Sequence, residues 1–363
     1  MYGIAGRINV NQKYFPDQKP ELGYMYGFEV GKISGNFRYT VAHYLQNDTY
    51  EINDMGYNSY NNRIHNELEL EYNFYKPFGK IINMYNDITF EYALQYDPTE
   101  FRYFEISSYN RTTWINYLTT SFNWELSPVE SNDFYEARVD GWVLKRPAYG
   151  FFGFFISPDY RKRFVLDFQA GTWAGNRYNQ SGYVLRLKPR IRINDRFSMI
   201  LEAEYDKDYN DIGHVNDSLN NAGEPVIIIG KRDIRTLETI LEANYIFTKN
   251  IGLSLRARHY WITVEYDEFF RLLKDGYLEH SDYYSDHDFI YNAFNIDMVF
   301  RWTFAPASEL LFVWKNNIFA EKSEIINDYF RNLEYTFNAP MGNSFSLKVL
   351  YYLDYHSLKR KRK

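Results

Sequence analysis

The sequence predicts an all-β fold: a transmembrane up-and-down antiparallel β-barrel of about 16 strands (about 14 to 18), forming a single domain over residues 1–363. Three observations predict it. Apolar and polar residues alternate in stretch after stretch, so that one face of each strand is greasy and the other wet. Short turns near residues 34, 78, 130, 160, 195, 249 and 306 alternate with longer polar loops near 55, 104, 178, 220, 277 and 331. A barrel with one short-turn rim and one long-loop rim needs that alternation. Aromatics make up 20% of the chain, with 36 Tyr, although charged residues still reach 24%. Rings with one apolar and one polar end concentrate at membrane–water boundaries.

The clearest strand is the last. Phe345, Leu347, Val349, Tyr351, Leu353 and Tyr355 share one face, and Ser346, Lys348, Tyr352, Asp354 and His356 the other. In water the apolar face would need a second layer, and the chain supplies none, so lipid is expected to cover it. No run approaches ~18 consecutive apolar residues, which excludes a transmembrane helix but not a barrel. A soluble β-protein is the alternative at the level of fold.

In chain order, Ile4, Ile8 and Val10 mark a first strand, and Leu22 to Val30 a second that turns near Ser34 and Gly35 into Phe37 to Val41. Ile64 to Phe74 and Ile82 to Leu94 form a pair about Pro77 and Gly79. Trp114, Leu118, Phe122 and Trp124 run to a turn at Pro128, and Tyr135 to Lys145 returns. Phe151 to Ile156 is apolar on both faces and precedes Phe164 to Phe168. Tyr183 to Ile193 and Phe197 to Tyr205 flank a tight turn, as do Leu237 to Phe247 with Ile251 to Ala257, and Phe294 to Phe304 with Leu310 to Trp314. Aromatic pairs Tyr72 and Phe74, Phe122 and Trp124, Tyr245 and Phe247, and Trp302 and Phe304 sit before short turns, as a girdle would.

The polar face can be checked for register. Pairing Ile193 with Phe197 sets Lys188 opposite Glu202 and Arg186 opposite Glu204, and the turn at Lys249 sets Glu242 against Arg256. Glu69, by contrast, is expected to face Asp87, an acidic patch that calls for water, a cation or a third strand.

The net charge of −6 leaves no nucleic-acid footprint. The absence of cysteine removes zinc ribbons, thiol nucleophiles and disulfides. Met1 to Val10 lacks the basic, apolar and small-residue sequence of a signal peptide, so a mature, truncated or fragmentary chain is expected.

Chemistry-bearing residues are sparse. The loop Asp267 to Asp288 holds His280, Asp282, Asp286, His287 and Asp288 but lacks the spacing of a calcium loop, and Asp206, Asp208, Asp211 and Asp217 make a second acidic loop. Both read as solvated, and no metal, cofactor or catalytic residue is assigned. His43, His65, His214 and His259 are scattered, and no serine occupies a nucleophile elbow, so an enzyme is the less favoured reading. The tail Lys359 to Lys363 reads as a solvated end. The Asn-x-Ser/Thr matches at Asn47, Asn110, Asn179 and Asn216 have no meaning in a bacterial barrel.

The run Phe294 to Trp302, then Phe304 to Leu310 and Val313 to Asn316, resembles the barrel region of an uncharacterised family of Bacteroidota outer-membrane proteins. The ending Phe345 to Tyr355 and the segment Asn53 to Tyr57 resemble it too. In that family the barrel follows a module similar to family 9 carbohydrate-binding modules, and residues 1–363 are expected to be the barrel without it. The resemblance implies a bacterial outer-membrane location and transport or surface binding of glycans or their products. Expected partners are the lipid bilayer and lipopolysaccharide, a glycan ligand and accessory envelope proteins, with no nucleic acid. A closed barrel anchoring another domain is the alternative, and a hydrolase sited at the rim comes third.

Overall fold

The computed structural model describes residues 1–13, 21–51 and 61–353. Its strands are β1 (Tyr2–Lys13), β2 (Glu21–Lys32), β3 (Phe37–Gln46), β4 (Arg63–Tyr72), β5 (Ile81–Gln95), β6 (Glu100–Trp114) and β7 (Thr119–Ser127). There follow a small hairpin of β8 (Ser131–Asp133) with β9 (Leu144–Arg146), then β10 (Tyr149–Ser157), β11 (Phe164–Gly175), β12 (Ser181–Arg192) and β13 (Phe197–Leu219). β14 (Pro225–Thr248), β15 (Ile251–Leu272), β16 (Leu278–His280), β17 (Phe289–Ala305), β18 (Ser308–Lys322), the helix α1 (Tyr329–Phe337) and β19 (Met341–Leu350) complete the chain.

Sixteen of these strands form one antiparallel meander in which each pairs with the next, β7 passing directly to β10 and β15 to β17. β16 adds a short flap to β15. The predicted barrel is not closed: among the described residues β1 pairs with β2 alone and β19 with β18 alone. Both edges reach the same end of the sheet. Ile33 N donates to Met1 O at 3.1 Å, and Tyr352 N donates to Ser308 Oγ at 2.9 Å, so β1 starts and β19 stops beside short turns.

Short and long sides alternate throughout, but two predicted elements are misplaced. Residues around 104 are not a loop, because β6 runs through them and the connection before it is Tyr96 to Thr99. β6 then turns at 115–118, where Trp114 N donates to Leu118 O at 2.8 Å and Tyr117 takes φ 61°. The predicted Trp114–Trp124 strand is therefore two strands, and Phe122 and Trp124 follow a short turn instead of preceding one. Tyr135 to Lys145 is not a sheet strand either. Its period-2 pattern is satisfied in a small separate core, where Ala137, Trp142 and Leu144 pack on Ile212, Ile227, Ile229 and Leu272. The true return strand is β10. The expected last strand ends at Leu350, and residues 354–363, with the basic tail, lie outside the described residues, as does Asn53 to Tyr57.

Among the described residues, no second layer covers the apolar face of the sheet in its short-turn half. Ile4 is 85% exposed, Phe345 and Leu347 64% each, and Leu187 46%, while the buried hydrophobic cluster lies at the long-connection end. Near the short turns this face carries aromatic pairs: Tyr72 with Phe74 at 5.1 Å, Tyr245 with Phe247 at 4.7 Å, and Trp302 with Phe304 at 5.7 Å. β13, β14 and β15 run 23, 24 and 22 residues, about twice the ~10 residues that cross a bilayer, so their far ends stand well beyond any apolar band.

There α1 covers the same parity of β15 and β17. Asp328 caps it, accepting from Arg331 N at 2.8 Å. Asn332, fully buried, exchanges two hydrogen bonds with the equally buried Asn292, at 2.6 and 3.0 Å. Tyr329 packs edge-on to His259 at 5.7 Å, which accounts for that histidine's burial. Replacing Asn332 by Ala leaves the buried Asn292 Nδ2 without its partner, while Asn292 Oδ1 keeps His259 Nε2 at 3.3 Å, so α1 should lose ~1–3 kcal/mol of local stability. Amide exchange across 331–338 should quicken while the β4–β5 amides stay protected; unchanged exchange in α1 would contradict the pairing.

Candidate functional site

The polar face divides into two unlike regions. On β11–β18 many charges are paired with opposite charges across strands, although register also sets Glu204 against Glu238 and Asp233 against Glu265. Arg190 Nε lies 3.0 Å from Asp167 and Arg186 Nε 3.3 Å from Glu204, with Lys188 Nζ at 2.5 Å from Glu202. Arg256 reaches Glu242 at 3.6 Å and Lys315 reaches Asp297 at 3.3 Å. The pairings predicted for Arg186, Lys188 and Arg256 are therefore present. Arg186–Glu204 and Glu242–Arg256 sit in direct register.

On β4–β7 the carboxylates outnumber their partners. His65, Glu67, Glu69 and Glu71 alternate along β4, and register sets Glu67 opposite Glu91 and Glu91 opposite Glu105, three carboxylates in one row. Like charges directly opposite one another destabilise a sheet unless something compensates. The expected Glu69–Asp87 pair is off by two residues: Asp87 faces Glu71, and Glu69 faces Thr89. Arg38 from β3 pairs with Glu71, so a third strand does match part of the patch. Glu69 itself makes no hydrogen bond or ion pair among the described residues. Tyr149 donates to Glu125 and, at 3.3 Å, to Glu105.

His65 Nε2 lies 3.6 Å from Glu67 Oε2 and 3.9 Å from Glu91 Oε2. Tyr103 Oη stands 3.4 Å from His65 Nδ1 and 3.4 Å from Glu91 Oε2. All four side chains are half-buried. Beside them opens a cavity of about 410 Å³ lined by Arg63, His65, Tyr103, Asp133, Glu136 and Arg146. Its far wall is the segment 128–148, which is strapped at both ends. Asn132 Nδ2 donates to Phe101 O at 2.7 Å, and Tyr135 Oη to Asn61 O at 3.0 Å. At the other end Arg146 bridges Asp133 and Glu136, both at 3.2 Å, and donates to Ile212 O at 2.6 Å, while Glu136 accepts from His214 N at 2.6 Å. Lys145 N donates to Gly276 O at 2.9 Å. One stretch thus ties β6 to β13 and to the β15–β16 turn.

A second cavity, about 800 Å³, opens at the short-turn end between Arg111, Tyr117, Asp159, Arg161 and Arg192. Asp159 sits in the turn there, and its hydrogen bonds from Arg161 hold it down at about 2.

The residues singled out by sequence are mostly structural. His287 stacks on Tyr283 and accepts or donates at 2.9 Å to its hydroxyl, and Asp288 accepts from Tyr266 N at 2.7 Å. Asp286 accepts from Asp288 N at 3.1 Å, and His280 packs on Phe270. Asp206 to Asp217 is strand, not loop: Asp208 accepts from Trp173 Nε1 at 2.8 Å, Asp211 pairs with Arg232 at 2.9 Å, and Asp217 lies 3.4 Å from His214. His43 bonds Asn66 at 2.8 Å. Among the described residues, His65, Glu67 and Glu91 are the one group with metal-ligand geometry. Reading His65 as scattered missed it. The signal was its i, i+2 spacing from Glu67 combined with the β4–β5 register.

Fold and site together define a class: an all-β antiparallel meander with one uncovered apolar face and one charged face. Within that class the chain belongs to the family described as a domain of unknown function, DUF5916, whose match spans residues 1–362. No curated protein matches. Among solved structures the chain is similar to in-vitro folded OmpT, an outer membrane protein of Vibrio cholerae, at 8% identity over 82% of this chain and 95% of that one, with a TM-score of 0.30, too low to equate the folds.

Proposed function

We propose that this chain is a β-barrel of the bacterial outer membrane, sealed by pairing of β1 with β19, and that its charged interior serves transport or surface binding of polar solutes. The observation that carries this is the bare apolar face: Ile4, Leu187, Phe345 and Leu347 have only solvent to meet unless acyl chains and lipopolysaccharide cover them. Closure is geometrically consistent. β1 and β19 run antiparallel, lie at the two ends of the meander, start and stop beside short turns, and carry their apolar residues on the same parity as the rest of the sheet. Two long unpaired edges would otherwise invite aggregation.

The chain has no native cysteine, so engineered pairs report closure cleanly. Ser346→Cys combined in turn with Gly3→Cys, Ala5→Cys, Arg7→Cys or Asn9→Cys should yield a disulfide at one register in lipid-folded protein, because paired strands hold Cα atoms ~5.5 Å apart. Failure at all four positions contradicts the sealed barrel.

The unpaired carboxylates of β4–β7 favour cationic or neutral polar solutes over anions. Glycans and their breakdown products are the class named by the family resemblance. The paired charges of β11–β18 favour a second reading, a locked barrel that anchors another domain or an accessory envelope protein. Conductance in planar bilayers separates the two: transport requires open-channel steps selective for cations, and a silent bilayer supports the anchor.

A further inference from the structure

We propose that His65, Glu67 and Glu91 form a binding site for a divalent transition-metal ion just inside the long-connection end of the charged face. One imidazole and two carboxylates converge there, their ligand atoms all within 4.8 Å of one another. Ligands of one ion at ~2.0–2.2 Å lie about 3 Å apart, so small rotations of the two Glu side chains bring all three onto a common centre. The backbone already supplies the convergence: His65 and Glu67 are two apart on β4, and Glu91 is directly opposite Glu67 on β5.

The surrounding charge points the same way. Glu67, Glu91 and Glu105 form a row across three strands, and among the described residues the only basic group paired to the first two is His65. A divalent ion compensates that row more fully than a single imidazole ring can. Imidazole with carboxylate suits Zn²⁺, Cu²⁺, Ni²⁺ or Fe²⁺ rather than Ca²⁺, which prefers six or more oxygens. Tyr103 Oη, 3.4 Å from His65 Nδ1, is placed to accept a hydrogen bond from Nδ1–H, the tautomer that leaves Nε2 free as the ligand. Three protein ligands leave coordination positions open, and the cavity of about 410 Å³ beside His65 gives water or a polar solute access to them. The site depends on β4–β5 pairing alone and not on whether the barrel conducts.

The test uses the full chain folded in detergent, with Cu²⁺ followed by electron paramagnetic resonance and Zn²⁺ by calorimetry. One ion per chain is expected, with nitrogen hyperfine structure on Cu²⁺. His65→Ala should abolish the nitrogen signature, and Glu91→Gln should weaken Zn²⁺ binding at least tenfold. Asp282→Asn, in the exposed β16–β17 connection, should leave both unchanged. Circular dichroism of each variant shows that the sheet is intact. Should the unaltered protein bind no stoichiometric ion, or should His65→Ala keep the nitrogen signal, the site does not exist and His65 serves only as a polar neighbour of the two carboxylates.

Discussion

Leu187→Arg should cost ~2–4 kcal/mol of folding stability in a phospholipid bilayer, the penalty for a guanidinium on the lipid side of a membrane barrel near mid-depth. Leu187 sits on the apolar face of β12, between Phe168 of β11 and Ala203 of β13, five residues from the short-turn end of its strand. Were this face wetted in the native protein, the same change would replace an exposed apolar group with a soluble one and be close to neutral. The neighbouring Lys188→Leu, on the opposite parity, removes a partner of Glu202 and tests the other face. Urea titrations in vesicles should show a large loss for Leu187→Arg and the same stability for Leu187→Phe, which keeps the face apolar. Equal midpoints for the wild type and Leu187→Arg would mean that lipid does not touch β12.

Leu144→Ala should release the segment 128–148. Leu144 is 1% exposed and packs with Trp142, Ile229 and Leu272 in the one buried hydrophobic cluster among the described residues. Truncating a buried Leu costs ~2–5 kcal/mol where the site cannot collapse. The polar straps from Asn132, Tyr135, Glu136 and Arg146 to neighbouring backbone groups remain, but hydrogen bonds do not refill the cavity left among Trp142, Ile229 and Leu272. Proteolysis within residues 131–145 should accelerate by one or two orders of magnitude, while β4–β6 stay resistant. If the segment bounds the solute path, single-channel current should also rise. Unaltered proteolysis would show that the cluster does not hold the segment.

Much of this was legible from alternation. The register of β12 with β13 could be placed to the residue beside their turn, because Asn194 to Arg196 leaves no slack there, and Arg186 then meets Glu204 as written; β13 itself continues to Leu219, through what read as an acidic loop. β6 was not legible for a physical reason. Its outward positions include Ser108, Asn110 and Thr112, so the greasy face that marks a strand fades along it. Tyr135 to Lys145 misled in the opposite sense, since Ala137 and Val139 answer to a three-dimensional core with β13, β14 and β15 rather than to a sheet, and Tyr135 reaches Asn61 O instead. The histidine–carboxylate group needed the β4–β5 register, which passes through the irregular connection 73–80 with bridges between Phe74 and Met84 and between Phe78 and Ile81. A slip of two residues there exchanges Glu69 for Glu71 opposite Asp87 and hides the site.

Trp302 offers the most direct measurement of whether acyl chains cover the apolar face. It is 42% exposed on that face of β17, close to a short turn. A variant retaining Trp302 as its sole tryptophan should, once folded into vesicles of brominated phosphatidylcholine, lose most of its fluorescence. Retained fluorescence in those vesicles, with the same protein monodisperse in plain buffer without detergent, would contradict a lipid-covered sheet.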